Sequence, residues 1–402
     1  MKRRRTALAS WPGKWVPCSP LQETHKWNKV RDRKGKRILD KENREGEAMK
    51  KVILGIVGIL VLLIVIFLFQ SAPIDPAAYA PPQAPELTGV LAPNNLLQKA
   101  ELLARGKING PEEVAVDSQG RVYGGTQDGK IMRLPPDGKL EVFAETKGRP
   151  LGLQFDKKEN LIVCDAYKGL LSIDPRGKVN VLATSAEGGP FKFTDALDIS
   201  SEGIIYFTDA SSKYQQDEYL YDLLECKPHG RFMSYDPATG QVKVLLKNLY
   251  FANGVALSPQ EDFILVNETY RYRIVRYWLK GPKAGAQEIF IDNLPGFPDN
   301  ISSNRKGTFW LALFTVRNDT VDKLHPSPFL KAQMSKLPKA LWPQAKPYGL
   351  VLALDVQGKI IQSLHDPTGN HLKEITSARE YGGSLYLGSL HNDRIGKFKL
   401  PG

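Results

Sequence analysis

Cysteine is scarce in this chain. Only Cys18, Cys164 and Cys226 occur among 402 residues, and no two have the close spacing that gathers thiolates around zinc. Cys164 lies in the apolar run LIVCD and reads as a small buried hydrophobe, with a pairing to Cys226 left open. Helical periodicity is sparse after Gly110, which argues against a helical bundle over most of the chain. Surplus charge is missing from the same region. Residues 1–51 carry 16 Lys or Arg against 6 Asp or Glu, whereas everything beyond carries 39 against 37. The formal charge of +12 therefore belongs to a tail and not to a domain face, and nucleic-acid binding is discounted.

One long apolar run is present. Residues 52–69, VILGIVGILVLLIVIFLF, form 18 positions without a charge. That length crosses a bilayer core as a helix and exceeds the usual apolar part of a cleaved leader. The basic segment before it, ending in Lys50 and Lys51, puts the N-terminus in the cytoplasm by the positive-inside rule. A single-pass type II membrane protein is expected, anchored through residues 52–69, with its C-terminal bulk on the extracytoplasmic side. Residues 1–48 are polar and basic and are expected to be disordered. Met49-Lys50-Lys51 ahead of the run resembles the start of a bacterial signal anchor, which makes translation from Met49 a further expectation. Residues 70–100 open with the Pro- and Ala-rich QSAPIDPAAYAPPQAP and read as an extended stalk that holds the domain off the membrane.

From Glu101 onward, short apolar runs alternate with Gly, Asp, Asn and Pro turns. VAVDSQGRVYGG from Val114 is echoed by GLQFDKKENLIVCD from Gly152, LDISSEGIIYFTD from Leu197 and VALSPQEDFILVN from Val255. ISSNRKGTFWLAL from Ile301 and ITSAREYGGSLYLGS from Ile375 complete six units. Spacings of about 38–74 residues suit the four-stranded blades of a six-bladed β-propeller. The fold class is therefore all-β, a propeller over residues 101–402 preceded by a single transmembrane helix. The last unit supplies only three strands. Residues 101–105 are expected to add the fourth and close the ring, removing its exposed edges. Residues 318–347 interrupt the fifth unit and are expected to form a partly helical cap.

FANGVALS at residues 251–258 and FPDNIS at 297–302 place Asn or Asp-Asn just ahead of a strand, and GPEEVAVD at 110–117 has the same layout. In a propeller such entries converge on the central channel. The candidates there are Glu112, Asp195, Asn253, Asp299 and Asn300. Oxygen donors of mixed charge from several blades suit calcium better than zinc, although Asn and Asp also cap turns at strand starts everywhere.

FTDALDISSEGIIYFTDAS, GRFMSYDPATG, LYFANGVALS, NETYRYRIVRYWLKG, LPGFPDNIS and GGSLYLGSL together resemble the strictosidine synthase-like propellers over residues 101–400, and the resemblance extends to the anchor. More distantly the chain is similar to paraoxonases and gluconolactonases, six-bladed propellers that hydrolyse lactones and aryl esters around a channel calcium. The resemblance implies calcium ligands at Glu112, Asn253, Asp299 and Asn300, with Asp195 or His391 assisting water. Thr194 stands where paraoxonases have an amide before the Asp, and Leu151 stands where they carry a channel His. Thr376 falls where strictosidine synthases have their proton-moving Glu, so their amine–aldehyde condensation is not expected here. Two functions follow. One is a membrane-anchored, calcium-dependent hydrolase of small-molecule esters or lactones; the other is a non-catalytic propeller, stabilised by calcium, that binds a partner.

Overall fold

A computed structural model describes residues 23–401. The chain divides into a helical unit ending at Ser71 and a second unit beginning at Ala72. Residues 1–22 of the basic tail, Cys18 among them, lie outside the described residues.

Helix α1 (Glu23–Phe69) fills the first unit. Its 47 residues measure roughly 70 Å at 1.5 Å per residue, more than twice the thickness of a bilayer's hydrocarbon core. Among the described residues it is the one helix long and apolar enough to cross a membrane, by length and composition. The disorder expected as far as residue 48 is corrected here: the helix already begins at Glu23. Residues 23–69 contain no proline, and long Lys, Arg and Glu side chains favour helix when charge is paired along it. Lys41 and Glu45, one turn apart, approach to 3.8 Å.

The second unit holds six four-stranded antiparallel sheets, one for each sequence repeat. Their innermost strands are Val114–Val116, Pro150–Phe155, Thr194–Ile199, Ala252–Leu257, Gly296–Ser303 and Ile375–Tyr381. Each blade then meanders outward. Glu101–Leu103 pairs antiparallel with Ile395–Lys399, Leu103 opposite Ile395, and supplies the outermost strand of the sixth blade. That is the closing strand anticipated near residues 101–105.

Strands inside a blade are apolar on both faces because each face meets a neighbouring blade. Phe263–Glu268 and Gly349–Leu354 are buried throughout. Between the first two blades, Tyr123, Leu153, Leu161 and Leu171 form one such seam. Cys164 is buried in the next seam and Cys226 lies beside the cap; both are free thiols.

Two insertions rise from one end of the propeller. Between the second and third strands of blade three comes α2 (Tyr219–Glu225), and at the same place in blade five come α3 (Asp319–Leu324) and α4 (Pro328–Ser335). Asn318 caps α3 by accepting from the Thr320 and Val321 amides, and Ser327 caps α4 by accepting from Leu330. Tyr214, Leu224, Leu324 and Trp342 pack together into a helical cap.

The stalk reading of residues 70–100 is also corrected. From Ala72 this segment is a strap laid along the propeller. Ile74 joins the cap core, and Leu91 and Leu97 are buried. The Ala77 amide donates to the Glu225 carbonyl at 2.9 Å, and the Tyr79 amide to the His325 carbonyl at 3.0 Å. Arg271 lies between the rings of Tyr79 and Tyr250, 3.8 and 3.7 Å from their centroids. Arg317 and Asn293 donate to the carbonyls of Pro82 and Gln83. Proline keeps the segment extended, so its carbonyls are free to accept from propeller side chains while its few large apolar residues find cover.

Leu97→Ala is expected to lower stability by about 2–5 kcal/mol in urea denaturation, the range for emptying a fully buried leucine site. A free stalk would give no measurable change.

Candidate functional site

The first strand of blades two to six carries a bulge near its start, between Pro150 and Leu153, Thr194 and Leu197, Ala252 and Val255, Pro298 and Ile301, and Ile375 and Ser377. A bulge re-aims the side chains within it. Here it turns Leu151, Asp195, Asn253, Asp299 and Thr376 toward the axis, where they meet Glu112 on the floor of one cavity. The residues flanking two of these bulges are themselves unusual. Phe251 and Glu374 immediately precede inner strands with φ of 58° and 49°, left-handed values that side-chain-bearing residues adopt at a cost, and both line the same cavity. Gly254 explains how the blades come so close. A Cβ there would lie 2.4 Å from the Ile301 nitrogen and 2.6 Å from the Asp299 carbonyl.

The cavity holds about 440 Å³. Phe193, Phe251, Tyr270, Phe297 and Leu151 form an apolar wall, and Tyr219, Leu223, Val321 and Lys339 of the cap stand over it. The wall is stiffened by ring contacts: Phe251 lies 4.4 Å from Tyr270 and 5.2 Å, edge-on, from Phe193.

The floor is acidic and short of partners. Glu112, Asp195 and Asp299 are all buried. The nearest buried cation is Arg149, which donates to the Gly110 carbonyl at 2.9 Å and feels the charges of Glu112 and Asp195. Burial, and then the neighbouring Glu113, pushes Glu112 up to about 8. Burial and Glu112 likewise push Asp195 and Asp299 well above the ordinary carboxyl range. Glu112 Oε2 and Asn253 Oδ1 are buried with no hydrogen-bond donor among the described residues. Three carboxyls and the Asn253 amide oxygen, with one guanidinium nearby, make an all-oxygen donor set whose negative charge exceeds the positive once its protons are displaced. Such a set fits a hard divalent cation. It is loosely gathered: among the described residues, no three His, Cys, Asp and Glu side chains are drawn together into a ready metal centre.

Of the four residues expected as ligands, Glu112, Asn253 and Asp299 line the cavity. Asn300 stands behind them and donates its amide to Glu112 Oε1 at 2.9 Å. Asp195 reaches the floor, and His391 stands half-exposed at the cavity rim. Arg149 and Lys339 escape the sequence reading, and Glu374 stands out of register with the position of the strictosidine synthase Glu at Thr376. Arg149 is buried within electrostatic reach of Glu112 and Asp195. Glu374 lines the cavity, and its carboxylate lies 2.6 Å from His391 Nδ1. Lys339 comes from the cap and donates to the Asp217 carbonyl at 2.8 Å.

Sequence comparisons agree with this architecture. A strictosidine synthase family model matches residues 195–282, and a strictosidine synthase-like N-terminal model matches residues 89–134. Adipocyte plasma membrane-associated protein of Rattus norvegicus is 37% identical, with 86% of this chain and 97% of that protein covered. Strictosidine synthase-like 6 of Arabidopsis thaliana is also 37% identical, covering 85% and 94%. The chain belongs to the strictosidine synthase-like family. Among solved structures it is similar to a gluconolactonase of Xanthomonas campestris, at TM-score 0.57 and 17% identity over 83% of this chain and 99% of that one. A calcium-binding regucalcin of Agrobacterium tumefaciens gives 0.54 and 14% over 74% and 93%. At those identities the likeness concerns the fold.

Thr376, expected where strictosidine synthases have a Glu, lines the same cavity. Its hydroxyl is spent on the Glu112 carbonyl at 2.6 Å. Thr194 is likewise unavailable as a donor to the floor, since its hydroxyl bonds the Asp165 carbonyl at 2.5 Å.

Without a cation, stability is expected to fall as pH rises from about 4.5 to about 8. The folded floor holds protons that the unfolded chain has already released, so deprotonation favours unfolding. Thermal melts in chelator across that range check this. Glu112→Gln should flatten the slope, and a cation that replaces the protons should oppose it.

Proposed function

We propose that this chain is a membrane-anchored hydrolase of esters or lactones that uses calcium in the propeller channel, with the propeller on the extracytoplasmic side. The observation that supports it is the floor itself: three crowded carboxyls and an orphaned Asn253 amide oxygen beneath an apolar wall of substrate size. Glu112, Asn253 and Asp299 would hold the ion, with Asn300 orienting Glu112 from behind. A bound calcium supplies Lewis-acid polarisation of an ester or lactone carbonyl.

The chain's own groups do the rest. Phe193, Phe251, Tyr270 and Phe297 exclude water from one side and hold the apolar part of the substrate. The Glu374 carboxylate accepts from His391 Nδ1–H, which fixes the tautomer and leaves Nε2 free to take a proton from attacking water. Asp195 on the floor positions that water from the opposite side. Thr376 offers no second proton acceptor, because its hydroxyl is already committed.

Turnover of phenyl acetate and of a small panel of lactones by the full chain tests this reading. Activity should vanish in chelator and return with calcium, and Asn253→Ala should remove it while leaving the protein folded. His391→Gln should lower kcat about 100-fold with KM little changed, the size expected for losing a general base, and Glu374→Gln should shift the pH profile. Turnover that ignores chelator would defeat the proposal. A calcium-dependent rise in Tm with no turnover on any substrate would instead favour the non-catalytic binding propeller.

A further inference from the structure

The cap carries apolar side chains that its own packing does not need. Phe329 is 59% exposed, Leu330 50% and Leu341 65%, all within one segment of thirteen positions. Elsewhere on the propeller unit, exposed aliphatic residues are spread along the sequence, as Val90 is on the strap. Val142, Val181, Ile289 and Ile361 each lie on the outermost strand of a different blade, which is ordinary for a soluble surface. The cap cluster is different in kind.

Its charge is one-sided too. Residues 323–347 contain Lys323, Lys331, Lys336, Lys339 and Lys346 and no Asp or Glu. Lys331 is buried and bonds the Ala77 carbonyl of the strap, whereas Lys323 and Lys346 are exposed. Aromatic and aliphatic side chains flanked by lysines have the chemistry of a segment lying in a phospholipid headgroup layer, chains toward the acyl boundary and ammonium groups toward phosphate.

Chain length brings such a layer within reach. Only Gln70 to Ile74 separate the end of the apolar helix at Phe69 from Asp75. The Asp75 amide donates to Glu225 Oε2 of α2 at 2.9 Å, and Lys331 of α4 holds Ala77 two residues on. Six residues extend roughly 20 Å at most. The tether from the apolar helix to the strap residues held by both cap helices is therefore short.

We infer that the exposed face of the cap, centred on Phe329, Leu330 and Leu341, docks on the surface of the phospholipid bilayer that holds the anchor. The inference rests on the anchor reading and not on hydrolysis. Lys339, Ala340, Pro343 and Gln344 of the same segment line the cavity, so docking presents the cavity entrance to the membrane and favours lipophilic substrates that partition there.

The full chain, with Cys18 replaced by Ser, is reconstituted in phosphatidylcholine vesicles with and without phosphatidylserine. An environment-sensitive dye is attached at Phe329→Cys, at Leu341→Cys, or at Val181→Cys on blade two, and a lipid-borne quencher is added. Quenching several-fold stronger at positions 329 and 341 than at 181, and stronger again with phosphatidylserine, is expected. Lys323→Glu with Lys346→Glu should lose the phosphatidylserine increment. Equal quenching at all three positions in a chain that resists carbonate extraction would overturn the docking alone. Release of the chain by carbonate would overturn the anchor and the docking with it.

Discussion

Everything in the second unit depends on the closure of the ring. A single blade has two apolar faces and cannot bury either without a neighbour on each side. Pairing of Glu101–Leu103 with Ile395–Lys399 joins the first and last strands of the propeller and completes the last blade. Once the ring is shut, the entries of six inner strands are fixed around one axis, and their side chains converge whether or not they suit one another. Gly254 shows how little slack is left, with the neighbouring backbone where a Cβ would stand. The crowded carboxyls of the floor are a consequence of that closure. The apolar seams between blades, such as Tyr123, Leu153 and Leu171 in one and Leu197, Phe207 and Met233 in the next, offset the cost of holding them.

Alternation along the backbone then decides which acid is structural and which is not. Glu112 and Glu113 are adjacent, buried and chemically alike. Glu113 accepts from the Leu153 amide at 2.9 Å and from Arg379 at 2.6 Å, which ties the first blade to the second and sixth. Asp198 plays the same part between blades, accepting from Leu257 and Arg305. Glu112 points the other way and keeps one oxygen without a donor. A carboxylate that is fully bonded stabilises an interface between blades, while one that is half bonded retains affinity for something that has yet to arrive.

Much of this was legible in the sequence, and the reason is locality. A propeller repeats strand, turn and strand at short range, so turn residues and apolar runs mark the six inner strands and the closing strand directly. Asn253 and Asp299 stand out because they interrupt apolar entries. What stayed hidden depends on contacts far apart in the chain. Arg149 looks like any charged loop residue until Glu112 and Asp195 are brought around it. Glu374 falls out of register with the strictosidine synthase Glu, and its place in the cavity beside His391 depends on a left-handed backbone that the sequence does not announce. The strap misled for a related reason: a Pro- and Ala-rich composition reports an extended backbone faithfully, but it cannot report which surface the extended backbone lies on.

That strap changes how the cavity wall is held. Glu225, at the end of α2, is the junction. Burial would raise its carboxyl, but bonds from His229, Lys213, Tyr214 and the Asp75 amide outweigh burial and hold it well below the usual range. It is therefore a permanent anion that fastens three parts of the loop, through Lys213, Tyr214 and His229, to the first residues of the strap. The other face of the same short helix presents Tyr219, Leu220 and Leu223 to the cavity. A helix of seven residues has little stability by itself, so its position depends on these bonds. Loosening the strap at Asp75 would then be felt at the wall of the cavity, because it removes one of the bonds that, together with the packing of Leu224 in the cap, keep α2 in place.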